Sequence, residues 1–250
     1  MKSKARRKRL DLLLVERGLA GTPQKALALI LAGEVQVNGA RVDKPGVAVA
    51  ADARIDVTSR FQKFASRGGF KLAGALEDFS LDPSGRVCLD LGSSTGGFTD
   101  CLLQRGASRV YAVDVNVSQL AWKLQQDPRV IPVERNARQL RHADIPESID
   151  FITADVSFIS VTKILSPVCS VAKPVADFLI LVKPQFELPR EDVGPGGIVL
   201  DPALHEKAIE KVRQAAAAAG LACLGVCPSR LPGAEGNQEY FLHARKKTIE

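Results

Sequence analysis

Apolar positions follow one rhythm at the start of this chain and another through the rest. Leu10, Leu12, Leu13, Leu14 and Val15 in LDLLLVERGLA predict a short helix stopped by Gly18. Thr22-Pro23 then opens a second helix as N-cap and first-turn proline, with Ala26, Leu27, Leu29, Ile30 and Leu31 as its apolar set and Gly33 as its end. The period next shortens to two at Val35-Gln36-Val37, and Asn38-Gly39 is a hairpin signal that turns Arg41-Val42 back against it. Arg54–Val57 reads as a further short strand.

From Leu72, Ala75, Leu76 and Phe79 onward a longer pattern begins, with Lys71 in the first turn of a helix. Buried strands are predicted at Val87–Leu91, Arg109–Val113, Val130–Val133, Asp150–Ala154 and Asp177–Val182. Helices are predicted between them near 97–104, 118–125 and 160–172, then a long one over 201–219. Leu221–Cys227 and Glu239–His243 complete the set. Such alternation predicts an α/β fold with a mostly parallel doubly wound sheet. The closing strand, loop and strand match a methyltransferase-type Rossmann variant whose last strand runs antiparallel.

Composition narrows the class. The longest apolar stretch, Ala215–Cys227, is too short and too broken by glycine to span a bilayer, and no signal-peptide core follows the basic start. Five cysteines without a CxxC pair predict neither a disulfide framework nor a metal site, so a cytoplasmic protein is expected. The 34 basic and 28 acidic residues give +6, unevenly spread. Residues 1–71 hold 15 basic against 6 acidic groups, and the remainder is net acidic. That contrast predicts two modules, the first built to meet a polyanion.

The densest local signal is VCLDLGSSTGGFTD over residues 87–100: an apolar strand, a glycine-rich turn, then a helix. Glycine admits close backbone approach, and a helix N-terminus offers unpaired N–H groups. The spacing is neither GxGxxG nor GxxxxGK. It resembles the D-x-G-x-x-x-G-G-F loop of S-adenosylmethionine enzymes, which assigns Asp90, Gly92, Ser93, Ser94, Thr95, Gly96, Gly97 and Phe98 to the cofactor. Asp114 ends the next strand, where a carboxylate would accept hydrogen bonds from both ribose hydroxyls. Asn136, after the third strand, stands where adenine-edge contacts are expected.

The first module, with its helix pair followed by GEVQVNGARVDKPG, resembles the alpha-L RNA-binding module. The resemblance implies RNA contact, to which we assign Arg6, Arg7, Lys8, Arg9, Arg17, Lys25, Lys63 and Arg67. It departs from the family pattern at Gly21-Thr22-Pro23-Gln24-Lys25, where a basic cluster would usually open the second helix.

The nucleophile class is read by elimination and by resemblance. Asp155-Val-Ser-Phe158 lacks the proline pair of amine methyltransferases, and no cysteine is placed for attack on a base. A lysine ending the apolar run FLILVK is costly to place without partners. Lys71, Asp155, Lys183 and Glu239 match the K-D-K-E tetrad of ribose 2′-O-methyltransferases. Lys183 is expected as general base or hydroxyl-orienting group, Lys71 as a second cation that depresses its pKa, and the carboxylates as their anchors.

Together SRGGFKL, LDLGSSTGGFTDCLL, YAVDVNVSQLAWKL, ADVSFIS, LVKPQFE and GNQEYFLH resemble the TlyA (hemolysin A) family. The resemblance implies S-adenosylmethionine-dependent 2′-O-methylation of cytidine in small- or large-subunit ribosomal RNA, by a monomer or weak dimer. The expected boundaries are 1–60 for the RNA-binding module, 61–67 for a linker and 68–250 for the methyltransferase domain. Two rivals stand beside this reading: a ribosome-binding or assembly factor, and a membrane-active cytolysin, for which no basic amphipathic helix is present. Residues 192–198, DVGPGGI, read equally as a flap over the cleft and as a plain turn.

Overall fold

The computed structural model describes residues 7–17, 19–20, 22–57, 63–233 and 235–247. The chain forms two units, 1–63 and 64–250.

In the first unit, β1 (Arg7–Arg9) leads into α1 (Leu10–Glu16), followed by α2 (Pro23–Leu31), β2 (Val35–Val37), β3 (Ala40–Val42), β4 (Ala48–Ala50) and β5 (Ile55–Val57). Thr22 caps α2, its hydroxyl accepting from the Lys25 N–H at 3.2 Å. Asn38 and Gly39 both take positive φ, as a tight hairpin between β2 and β3 requires. β5 pairs with the other edge of β2. Leu10, Leu13, Leu14, Ala26, Ile30, Val35 and Val49 form the core. The pattern did not predict β1, which pairs antiparallel with β4 and turns part of the basic start into a strand. The Gly18 stop and Arg6 lie outside the described residues.

The second unit contains α3 (Gly68–Asp78), β6 (Val87–Leu91), α4 (Gly97–Gln104), β7 (Arg109–Asp114), α5 (Trp122–Gln125), β8 (Val130–Glu134) and β9 (Ile149–Ala154). It continues with α6 (Leu165–Val171), β10 (Ala172–Val182), α7 (Pro184–Glu187), α8 (Pro202–Ala218), β11 (Leu221–Pro228) and β12 (Tyr240–Lys246). The sheet order is β11-β12-β10-β9-β6-β7-β8, with β12 antiparallel to both neighbours and the pairs from β10 to β8 parallel.

Strand alternation splits the apolar side chains between two layers. Cys88, Val110, Phe151, Leu179, Leu181 and Phe241 pack under α3 and α4. Leu89, Tyr111, Ile152, Ile180, Val182 and Leu242 face α6 and α8.

Two expected helices are shorter than the pattern suggested. Residues 118–125 form a 3-10 turn at 117–119 and the single turn α5. The 160–172 segment is a 3-10 turn at 161–163 followed by α6. Half of the expected linker is also packed structure: Phe64 is buried in the α3/α4 core, and the Ala65 N–H donates to Asp100 at 2.6 Å. Residues 192–198 are held rather than loose. The Gly194 N–H donates to Ile198, and the buried Asn237 side chain bonds both Val199 and Gly197.

Candidate active site

Parallel strands bring their carboxyl ends to one edge of the sheet, where loops from neighbouring strands meet. Here that edge gathers Gly92 after β6, Asp114 at the end of β7, Asp155 after β9 and Lys183 after β10. Because β12 runs the other way, its beginning lies at the same edge, with Tyr240 opposite Val182, and Glu239 joins the group. α3 adds Lys71 from its first turn. A cavity of about 350 Å³ is lined by all four tetrad positions together with Ser93, Ser94, Phe158, Gln185 and Phe186.

Inside it the ammonium groups are paired separately. Lys71 Nζ donates to Glu239 Oε2 at 2.6 Å, and both side chains are under one-tenth exposed. Lys183 Nζ lies 2.6 Å from Asp155 Oδ1 and donates to Ser157 Oγ at 2.7 Å. The Phe186 ring covers Lys183 at 5.9 Å. Two buried cations without counterions would be strongly disfavoured, so the carboxylates are conditions of the arrangement.

A second cavity of about 400 Å³ adjoins the first, sharing Gly92, Ser94, Asp155, Ser157 and Phe158 with it. Asp114, Asn136, Ala137, Val115 and Gln119 also line it. Gly92 has φ +78, and a Cβ there would lie 2.3 Å from the Asp155 carbonyl oxygen, so the turn is pressed against the loop after β9. The Ser94 and Asn116 N–H groups donate one to each oxygen of Asp114, at 2.9 and 3.0 Å. That fixes the carboxylate and leaves further lone pairs for ligand hydroxyls. Asn136 uses its carbonyl to accept from the Arg138 N–H, leaving its NH₂ available. Thr95, Gly97 and Phe98 line the first cavity.

Two residues expected on the cofactor are placed elsewhere. Asp90 is 0% exposed; the Thr99 hydroxyl donates to it at 2.6 Å and the Thr153 hydroxyl at 3.0 Å. Strand alternation turns it toward α4, away from the cleft, and it ties that helix to β6 and β9. Burial pushes its pKa up to about 6, against the pull of the two hydroxyls. Gly96 is a turn residue: φ is +91, and a Cβ would strike Leu124.

Several residues expected to contact RNA are engaged within their own unit. Lys8 pairs with Glu16 and Arg9 with Asp11. Arg7 donates to the Ala48 carbonyl, and Arg17 to those of Ala51 and Ala53. Arg67 lines the cavity and donates to the Pro232 and Gly233 carbonyls, tethering the loop before Glu239. Lys25 and Lys63 are exposed.

The sequence reading did not single out Ser157, Phe158, Gln185 or Phe186. Each lies within three residues of a tetrad member, and proximity to a strand end was the available signal. Phe158 is conspicuous in the structure: it is 89% exposed with φ +65, beside Phe186 at 5.5 Å between ring centroids. A bulky residue in that backbone region is an outlier.

An open sheet of this order with a reversed last strand, a glycine turn pressed against the β9 loop, and a two-lobed cleft at the switch of strand order define a Rossmann-type methyltransferase domain. Residues 64–246 match the FtsJ-like methyltransferase family and residues 8–55 the S4 domain. The chain is 47% identical over 246 residues, 98% of its length and 92% of the relative's, to the 16S/23S rRNA (cytidine-2′-O)-methyltransferase TlyA of Mycobacterium tuberculosis. A solved structure from Streptococcus thermophilus, provisionally called a hemolysin, is 38% identical with a TM-score of 0.78, covering 97% of this chain and 90% of that one. An S-adenosylmethionine-dependent methyltransferase from Mesorhizobium loti shares the fold of the second unit at 17% identity and a TM-score of 0.54, over 70% of this chain and 98% of that one. The chain belongs to the TlyA branch of the FtsJ-like methyltransferases, with an S4 domain ahead of the catalytic unit.

Proposed function

We propose that this enzyme transfers a methyl group from S-adenosylmethionine to the ribose 2′-hydroxyl of cytidine in ribosomal RNA. One observation carries the reading: two lysine–carboxylate pairs, Lys71–Glu239 and Lys183–Asp155, line the same small cavity, next to the glycine turn.

The cleft fits the cofactor. Ser93 Oγ is buried in the cavity wall without a hydrogen-bond partner, and Asp114 is held by two backbone N–H groups beside the second lobe. Gly92 through Phe98, Asp114 and Asn136 would hold it, apart from Asp90 and Gly96, whose roles are structural. When bound, S-adenosylmethionine supplies a methyl group on a positively charged sulfur.

The chain's own residues then act on the acceptor. A ribose hydroxyl is a weak nucleophile; Lys183 Nζ is the group that orients it or, entering the step as the neutral amine after losing its own proton, takes the hydroxyl proton. Asp155 and Ser157 fix that nitrogen from two directions. Lys71, anchored by Glu239, supplies a second positive charge that favours a developing oxyanion. Alignment of oxygen, methyl carbon and sulfur does the remainder. Phe158 offers an exposed ring at the cavity mouth on which an unstacked base can rest. The S4 unit brings the RNA through Lys25, Lys63 and the exposed Arg7, Arg9 and Arg17, an electrostatic contact that weakens with salt.

The test is methyl transfer from radiolabelled cofactor to ribosomal subunits by the purified full chain. Label in alkali-resistant dinucleotides is expected. Subunit binding without transfer would favour the assembly-factor reading. The cytolysin reading has no support in the fold: among the described residues no helix is long and apolar enough to cross a membrane.

A further inference from the structure

The geometry points to Gln185 as the residue that reads the base of the methylated nucleotide, an inference that rests on the ribose-methylation reading above. Buried polar atoms in folded proteins almost always have a hydrogen-bond partner, and each exception asks for a ligand or a cause. Among the described residues of the second unit, the buried side-chain atoms with no hydrogen-bond partner are Ser93 Oγ, Asp155 Oδ1 and Gln185 Oε1, and all three residues line the same cavity. Asp155 Oδ1 has the Lys183 ammonium at 2.6 Å. Ser93 belongs to the glycine turn, which the function proposed above gives to the cofactor. Gln185 is left.

Its position separates it from the lobe where Asp114 and Asn136 stand. The second lobe, where Asp114 stands, is built from the ends of β6, β7, β8 and β9 and does not include Gln185. Gln185 follows β10, on the far side of β9 from the glycine turn, two residues beyond Lys183. A hydroxyl held at Lys183 places the base of the same nucleotide beside this residue. The ring of Phe186 flanks it on the same short helix, and the Phe158 ring faces Phe186.

The segment is pre-organised. Glu187, 2% exposed, accepts from the Val161 N–H at 2.7 Å and from the Ser160 hydroxyl, so α7 is fastened to the loop that carries Asp155 and Phe158. A carboxamide held there is chemically matched to cytosine. Its oxygen accepts from the exocyclic amino group, and its NH₂ donates to the ring nitrogen beside it. Single-stranded bases are read on this edge.

The experiment uses the full-length protein and ribosomal subunits purified from cells lacking it, after the methylated position has been mapped. A second set of subunits carries uridine in place of the target cytidine. Wild-type protein is expected to lose about 10-fold or more in kcat/KM on the uridine subunits. Gln185→Ala and the volume-conserving Gln185→Met are expected to lose a similar factor on cytidine subunits and little more on uridine subunits. Their affinity for S-adenosylhomocysteine and their melting temperatures are expected to match wild type. Wild-type turnover by Gln185→Met, an undiminished preference for cytidine in either variant, or weakened cofactor binding would each overturn the assignment. Absence of transfer by wild-type protein to any subunit would instead defeat the function reading, and this inference with it.

Discussion

Lys71 and Glu239 are 168 residues apart along the chain and 2.6 Å apart in space. α3 contributes the ammonium and the start of β12 the carboxylate, so the first helix and last strand of the catalytic unit are joined inside the cleft. Glu239→Gln leaves Lys71 buried with no counterion. The expected cost is about 3 kcal/mol in denaturant unfolding. Methyl transfer should fall with it, and supplying excess cofactor should not restore the rate.

Lys183 is assigned to the proton of the acceptor hydroxyl. Lys183→Ala should bind S-adenosylhomocysteine as wild type does while kcat drops by about 10²–10⁴-fold. Lys183→Arg should be equally inactive, since a guanidinium keeps its proton. Turnover near wild type in either variant would remove Lys183 from this role.

Gly92 has both a left-handed backbone and a neighbour in the way. Gly92→Ala combines a backbone penalty of about 1–2 kcal/mol with a Cβ placed against the Asp155 carbonyl oxygen. Relieving that contact moves the loop carrying Asp155. Cofactor affinity measured by calorimetry and kcat should therefore fall together.

Asp90 makes stability depend on pH in an unusual sense for a carboxylate. Its folded-state pKa is raised to about 6, above the unfolded value, so the folded state holds the proton more tightly. The associated stability is fully present below about pH 4 and is lost as pH rises through about 6, a change on the order of 3 kcal/mol. Asp90→Asn removes the titration. Plotted as wild type minus variant, unfolding free energy should decline across that window, and a flat difference would refute the assignment.

Phe158 stores backbone strain at an exposed position. Phe158→Gly should raise thermal stability slightly, because glycine takes positive φ without cost, while KM for ribosomal subunits rises. Loss of stability without a change in KM would point to a packing role instead.

Much of the architecture was legible because it follows from local rules. Apolar runs mark the strands of the large sheet, Thr22-Pro23 marks a helix start, and Asn38-Gly39 marks a hairpin. The failures have local causes too. Apolar residues near 118–125 suit a longer helix, although the segment forms a 3-10 turn and then the single turn α5. The motif alone places Asp90 at the ligand. Its phase on β6 turns it toward Thr99 instead, and the hydroxyls waiting there could not be inferred from spacing.

By itself, the order of residues determined which segments become strand, helix or turn, because each depends on neighbours within a few positions. It also determined the chemical types available at the strand ends. Only the tertiary structure decided that Lys71 meets Glu239 and Lys183 meets Asp155, that β12 enters the sheet reversed so Glu239 reaches the cleft, and that Gln185 keeps an unpaired oxygen there. Such pairings depend on strand order, register and helix docking. These are settled by burial of the whole apolar surface at once and leave no trace at any single position.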